Sequence, residues 1–195
     1  MATHISPESL DGVLGSLGEQ LRTREASFEL AVIGGSALQA LGLVERVTRD
    51  VDVVALVSDG ALMPANPLPT DIRETAERVA ADFGLAADWL NSGPGELVKW
   101  GLPEGFLSRV QTRHYGQRLT VHFASRLDQI HFKLYAMVDQ GAGRHEEDLR
   151  SLNPTRDELL AAAKWTTTHD PSEGFREQLI LVLESLGVTD ADLEP

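Results

Sequence analysis

Apolar residues recur along this chain with two periods, and the points where one gives way to the other mark its elements. Leu10, Val13, Leu14, Leu17 and Leu21 fall at helical spacing behind Ser6 and Pro7, which predicts a packing helix with the serine as cap and the proline at its first position. The short β-branched run 30–33 predicts a covered strand. Gly34 and Gly35 follow it and let the backbone turn tightly and approach a ligand closely. Ser36 reads as the N-cap of a helix over 37–43, so free backbone N–H groups and a positive dipole end would follow the glycines, a place for a phosphate. In the next strand Thr48, Asp50 and Asp52 alternate with Val51 and Val53, so two carboxylates on one strand face can hold a divalent cation between them.

Three prolines make 58–71 a surface loop at the end of the aspartate strand, where it can rim a cleft. Thr70 or Asp71 then opens a helix through Phe83 that carries Ile72, Ala76, Val79, Ala80 and Phe83 on one face and ends at Gly84. Segment 87–106 holds too many glycines and prolines for a long element, and its Trp89 and Trp100 are expected to pin the loop to the core. A hairpin follows, with arms 108–115 and 118–123 about a Gly116-Gln117 turn. Ser125 caps a helix whose Leu127, Ile130, Leu134, Met137 and Val138 form one buried stripe. A short helix stops at Asn153-Pro154, Thr155 caps a helix to about 167, and a last helix spans 172–186. The order predicts an α/β (α+β) chain. A small mixed-sheet core with flanking helices would occupy 1–140, and a C-terminal helical layer over 141–195 would pack on it in a single compact unit.

Composition adds constraints to that outline. The absence of cysteine excludes disulfides and thiolate metal sites. No apolar run is long enough to span a bilayer, and the N-terminus lacks the basic and apolar regions of a signal peptide, so a cytoplasmic protein without a membrane partner is expected. A net charge of −13 argues against a surface that coats nucleic acid. The charge is uneven, however: residues 1–105 carry net −9, 106–133 net +4 and 134–195 net −8. The basic island, with Arg109, Arg113, Arg118 and Arg126, suits a short piece of nucleic acid or a triphosphate, or is a chance unevenness. Lys133 is one of only three lysines and falls at the border of its helix's apolar stripe. There it either snorkels or aims its ammonium into a cleft. Asp148, near the start of the short helix, is equally readable as a partner of the helix dipole.

Gly35 and Ser36, thirteen further residues, then Asp50-Val51-Asp52 resemble the signature of the polymerase-beta-like nucleotidyltransferases. The full series narrows the resemblance: GGSA, then Arg46-x-Thr48-x-Asp50-x-Asp52, then Lys133-Leu134-x-Ala136, then Asp148 to Pro154. Over about 32–154 it looks like the AbiEii-type nucleotidyltransferases, which include the MenT toxins of toxin–antitoxin pairs. Known members move nucleotides, commonly pyrimidines, from an NTP to the 3′ end of tRNA, which blocks aminoacylation and stops growth.

Carried over by position, the resemblance implies phosphate contacts at Gly34, Gly35 and Ser36 and a Mg²⁺ or Mn²⁺ site at Asp50 and Asp52. It further implies that Lys133 holds the triphosphate of an NTP such as CTP, that Asp148 completes the catalytic set, and that Thr48 is a residue a cognate antitoxin can phosphorylate. The four arginines of the basic island would then be the footprint of the acceptor RNA. One departure stands out: the strand 119–123, where the superfamily often carries a third carboxylate, offers only His122. Either Asp148 fills that role from another element or the enzyme is impaired. The rival expectations are nucleotidyl transfer to a protein or antibiotic hydroxyl, and a catalytically silent module that binds a nucleotide or a partner.

Overall fold

The structure, a computed structural model, describes residues 3–189. The chain is of mixed α/β content and divides into two compact units, Met1–Ser125 and Arg126–Pro195. The first contains helix α1 (Pro7–Thr23), strand β1 (Phe28–Ile33), helix α2 (Gly34–Ala40), strands β2 (Val51–Ser58) and β3 (Ala61–Met63), and helix α3 (Thr70–Phe83). It continues with β4 (Leu90–Asn91), a 3-10 turn at Gly93–Glu96, the single helical turns α4 (Leu97–Trp100) and α5 (Phe106–Arg109), and the hairpin β5 (Gln111–Tyr115) and β6 (Leu119–Phe123). The second holds helices α6 (Arg126–Gln140), α7 (Gly143–Ser151), α8 (Arg156–Thr167) and α9 (Glu173–Ser185). No helix among the described residues is long and apolar enough to cross a membrane.

The six strands form one mixed sheet in the order β3-β2-β1-β6-β5, with β4 beside β2. β1 is parallel to β6 and antiparallel to β2. Its last four residues are all buried, as a covered strand requires. Both β3 and β4 lie on the outer edge of β2, β3 at Leu56–Ser58 and β4 at Val51 and Asp52. The α1 stripe Leu10, Val13, Leu14, Leu17 and Leu21 is wholly buried with Ile72, Val79 and Trp89 in the core that covers the sheet. Each such side chain contributes about 1.5–3 kcal/mol of burial.

Four expectations change here. The boundary falls at 125/126 rather than 140, because α6 packs against α7, α8 and α9. Segment 58–71 is not all loop: Asp59 and Gly60, both at positive φ, turn the chain back so that β3 pairs with β2. Segment 87–106 contributes β4, and of its tryptophans Trp89 is fully buried while Trp100 is 67% exposed. The first arm of the hairpin starts at Gln111, since Phe106–Arg109 is a helical turn.

In the helical unit the expected Thr155 cap of α8 is present, and Ser172 caps α9. Thr155 Oγ1 accepts from Glu158 N–H at 3.2 Å, and Ser172 Oγ accepts from Phe175 N–H at 3.4 Å. Trp165 of α8 meets Phe132, His131 and Tyr135 of α6 edge-on. Arg126 ties the start of α6 to α8, donating to both Glu158 carboxylate oxygens at 2.7 and 3.1 Å and to the Leu152 and Asn153 carbonyls. The guanidinium holds the Glu158 carboxyl below the usual carboxylate range, with the Thr155 N–H assisting.

A carboxyl with a depressed folded pKa contributes stability above its ordinary value of about 4.5 and loses it as pH falls through the folded value. Glu158→Gln should therefore lower the urea midpoint of the full chain at pH 7, and the gap to the parent protein should close below pH ~4. A gap that does not change with pH would show that the ionic part of the clasp contributes nothing.

Candidate functional site

The site of the sheet unit is built where β1 ends. Ile33 pairs with Asp52 across the β1–β2 ladder, and the chain leaves β1 directly into the Gly34–Gly35 turn. Gly34 has φ +77°, and a Cβ on it would collide with the Asp52 Oδ2 atom. A Cβ on Gly35 would stand 2.8 Å from Thr48 Oγ1 and 3.5 Å from the Arg46 guanidinium. Both glycines are thus fixed by the motif that follows them. Thr48 is held from the other side by a two-way backbone bridge to Ile5 at 2.8 and 2.9 Å, and its hydroxyl lies 3.5 Å from Asp50 Oδ1. Gln39 braces the same loop, donating to the carbonyls of Ile5 and Arg46 at 3.0 and 2.7 Å.

Asp50 stands just before β2 and Asp52 within it, and both are partly exposed. Their donor chemistry fits a hard divalent cation: two carboxylates, which for Mg²⁺ are completed by substrate phosphate oxygens and water. Among the described residues no three acidic or histidine side chains gather at one point. His122 is engaged, with Nε2 3.1 Å from Glu29 Oε2 and Nδ1 2.8 Å from Thr112 Oγ1.

Two residues that periodicity could not find belong here. Asn91 of β4 pairs in register with Asp52 and donates from Nδ2 to its Oδ1 at 3.1 Å. Arg46 brings a guanidinium to the glycine turn. The sequence signals for Asn91 were the buried Trp89 and the Asn-Ser-Gly turn, but a two-residue strand is too short for a period to register.

Ser36 is not the N-cap. The helix begins at Gly34, Ile33 holds the cap position in extended conformation, and Ser36 is buried in the first turn, its hydroxyl without a hydrogen-bond partner among the described residues. Of the three residues assigned to phosphate, Gly34 is the one with open surface. Thr48 is 3% exposed, so a phosphate on its hydroxyl needs the Gly35 turn to move away first.

Lys133 and Asp148 belong to the helical unit, and there they meet. Their ion pair is 2.7 Å long, with Lys133 6% and Asp148 2% exposed. Lys133 does not lie at a border, because every residue of α6 from Asp128 to Leu134 is buried. Its ammonium is balanced by the one carboxylate that the sequence assigned a separate role.

The arginines of the basic island are partly exposed and engaged within their own units. Arg113 is bound to Asp11 at 3.0 Å and to the Ala40 carbonyl, and it lies over the Phe123 ring. Arg118 donates to the Glu25 carbonyl and to Ser27 Oγ. Arg126 is taken up by Glu158, while Arg109 sits against Gly105. Charges within a stretch of sequence are matched here by acids and carbonyls far from it in the chain.

Removing Lys133 alone should be costly. Lys133→Met leaves Asp148 buried without its ammonium and should lower stability by about 3–5 kcal/mol, whereas Lys133→Met with Asp148→Leu should cost clearly less. Urea titration of both variants gives the comparison, and equal losses would show that the ion pair is not the source. Gly34→Ala should lose the ~1–2 kcal/mol of a left-handed alanine and, in addition, the cost of displacing Asp52. Gly42→Ala is the control, since Gly42 has φ +68° with open space around it. A loss no larger than that of the control would show that the carboxylate yields freely.

No family model, characterised protein or solved structure matches the chain.

Proposed function

We propose that the protein is a cytoplasmic, metal-dependent nucleotidyltransferase that moves an NMP from an NTP to the 3′ end of an RNA. The family resemblance points to tRNA as acceptor, CTP as the first nucleotide to test, and growth inhibition under the control of a cognate antitoxin. The observation that carries the proposal is the closure of the Gly34–Gly35 turn onto Asp52 and Thr48. A turn kept bare of side chains, with the Asp52 carboxylate and the Arg46 guanidinium beside it, suits the metal-bound phosphates of a nucleotide.

Asp50 and Asp52 would hold Mg²⁺ or Mn²⁺, which when bound neutralises charge on the phosphates. Gly34 lets the nucleotide approach the backbone, and Arg46 offers its guanidinium to phosphate oxygens. The acceptor hydroxyl oxygen forms a bond to the α-phosphorus, the bond to pyrophosphate breaks with its electron pair, and the hydroxyl proton is released. Lys133 and Asp148 enter as a buried pair that shapes the helical unit.

One observation favours a second acceptor class. With Arg113, Arg118 and Arg126 engaged in framework contacts, the charges expected to meet an RNA backbone are already satisfied, which suits a protein or antibiotic hydroxyl.

The test is incubation with Mg²⁺ and each of the four α-labelled NTPs, with total RNA, total protein or an aminoglycoside offered as acceptor in parallel and Asp52→Ala alongside. Label should enter RNA from one NTP and fall by about 100-fold or more in the folded variant. Label on protein or on an aminoglycoside instead would move the acceptor to the second class. Normal turnover by folded Asp52→Ala would end the proposal.

A further inference from the structure

The geometry points to Asn91 as the positioning residue that fixes the Asp52 carboxylate for a divalent cation, an inference that rests on the metal-dependent reading above. Three observations converge on it.

The first is register. β4 runs parallel to β2 with Asn91 opposite Asp52, and the Nδ2-to-Oδ1 hydrogen bond is 3.1 Å. The second is the fixed orientation of the amide. Gly93 N–H donates to Asn91 Oδ1 at 2.9 Å, so the oxygen end is taken by a backbone donor and the NH₂ end must face the carboxylate. The third is anchorage. Trp89, fully buried, donates from Nε1 to the Ala76 carbonyl of α3 at 2.8 Å, and its own carbonyl accepts from Val51 N–H at 2.6 Å. A strand of two residues is thereby anchored through Trp89 to both α3 and β2.

The consequence is that Asp52 has one oxygen against Asn91 and the other over Gly34. The carboxylate plane is set before any cation arrives, and the cation meets it without a rotamer search. Asn91 itself is not a ligand in this arrangement, because its oxygen is already bound. Such partners of metal-holding side chains typically set affinity by 10- to 100-fold.

The probe is Mn²⁺ alone, titrated into the full-length protein at fixed pH and followed by the electron paramagnetic resonance of free Mn²⁺. Melting temperature is measured on the same samples. Asp52→Ala should abolish specific binding. Asn91→Ala should weaken it by about 10-fold or more, with the melting temperature within ~2 °C of the parent protein. Gly93→Ala keeps both Asn91 and Asp52 but sets a Cβ 3.1 Å from Asn91 Oδ1, and it should give an intermediate loss. Parent-like Mn²⁺ affinity in Asn91→Ala, with Asp52→Ala silent, would overturn the positioning role and leave the metal site standing. Unchanged binding in Asp52→Ala would overturn both. Should Asn91→Ala not fold, Gly93→Ala decides alone, and parent-like affinity there overturns the proposal.

Discussion

Everything in the sheet unit that bears on chemistry depends on one close contact, the Asp52 carboxylate over the Cα of Gly34. It exists because of a bulge. Leu30 and Ala31 pair with Leu56 and Ala55, whereas Val32 and Ile33 pair with Val53 and Asp52. Without the extra residue at Val54, Ile33 would face Val53, and the β-branched side chain would stand where the carboxylate now lies. The same bulge explains why Val53, Val54 and Ala55 are all buried, a run that simple alternation does not allow.

How legible this was in the sequence differs by element, for physical reasons. α1, α3 and β1 follow from period and caps, because each has a single burial demand along its length. The glycine turn and its acids were legible because a backbone that must approach other groups admits few residue types. β4 was not, since its two residues derive their place from Trp89 and from β2 rather than from any pattern of their own. Lys133 was misplaced by a helical wheel that assumes one wet side, while α6 has none between Asp128 and Leu134.

The basic island shows a second limit. A charge count along the chain registers residue types, and electrostatics depends on who stands opposite. Arg113 and Asp11 are 102 positions apart, and Arg126 and Glu158 are 32 apart. The local excess of positive charge is therefore answered from elsewhere in the fold, with Arg113 tying α1 to the sheet edge and Arg126 tying α6 to α8.

These contacts also assign different work to the two units. Gly34, Arg46, Thr48, Asp50 and Asp52 lie within nineteen positions of one another, and Ile5, Gln39 and Asn91 of the same unit brace them. The shape of the candidate site is therefore a property of sheet register, sensitive to a slip of one residue in β2. The helical unit buries the Lys133–Asp148 pair and ties α6 to α8 through the partly exposed Arg126 clasp. A buried ion pair is strongly destabilising to break and nearly neutral to replace whole. Its conspicuous residues therefore follow from the cost of burying one charge without the other, whereas Gly34 and Asp52 follow from a backbone that has to stay bare.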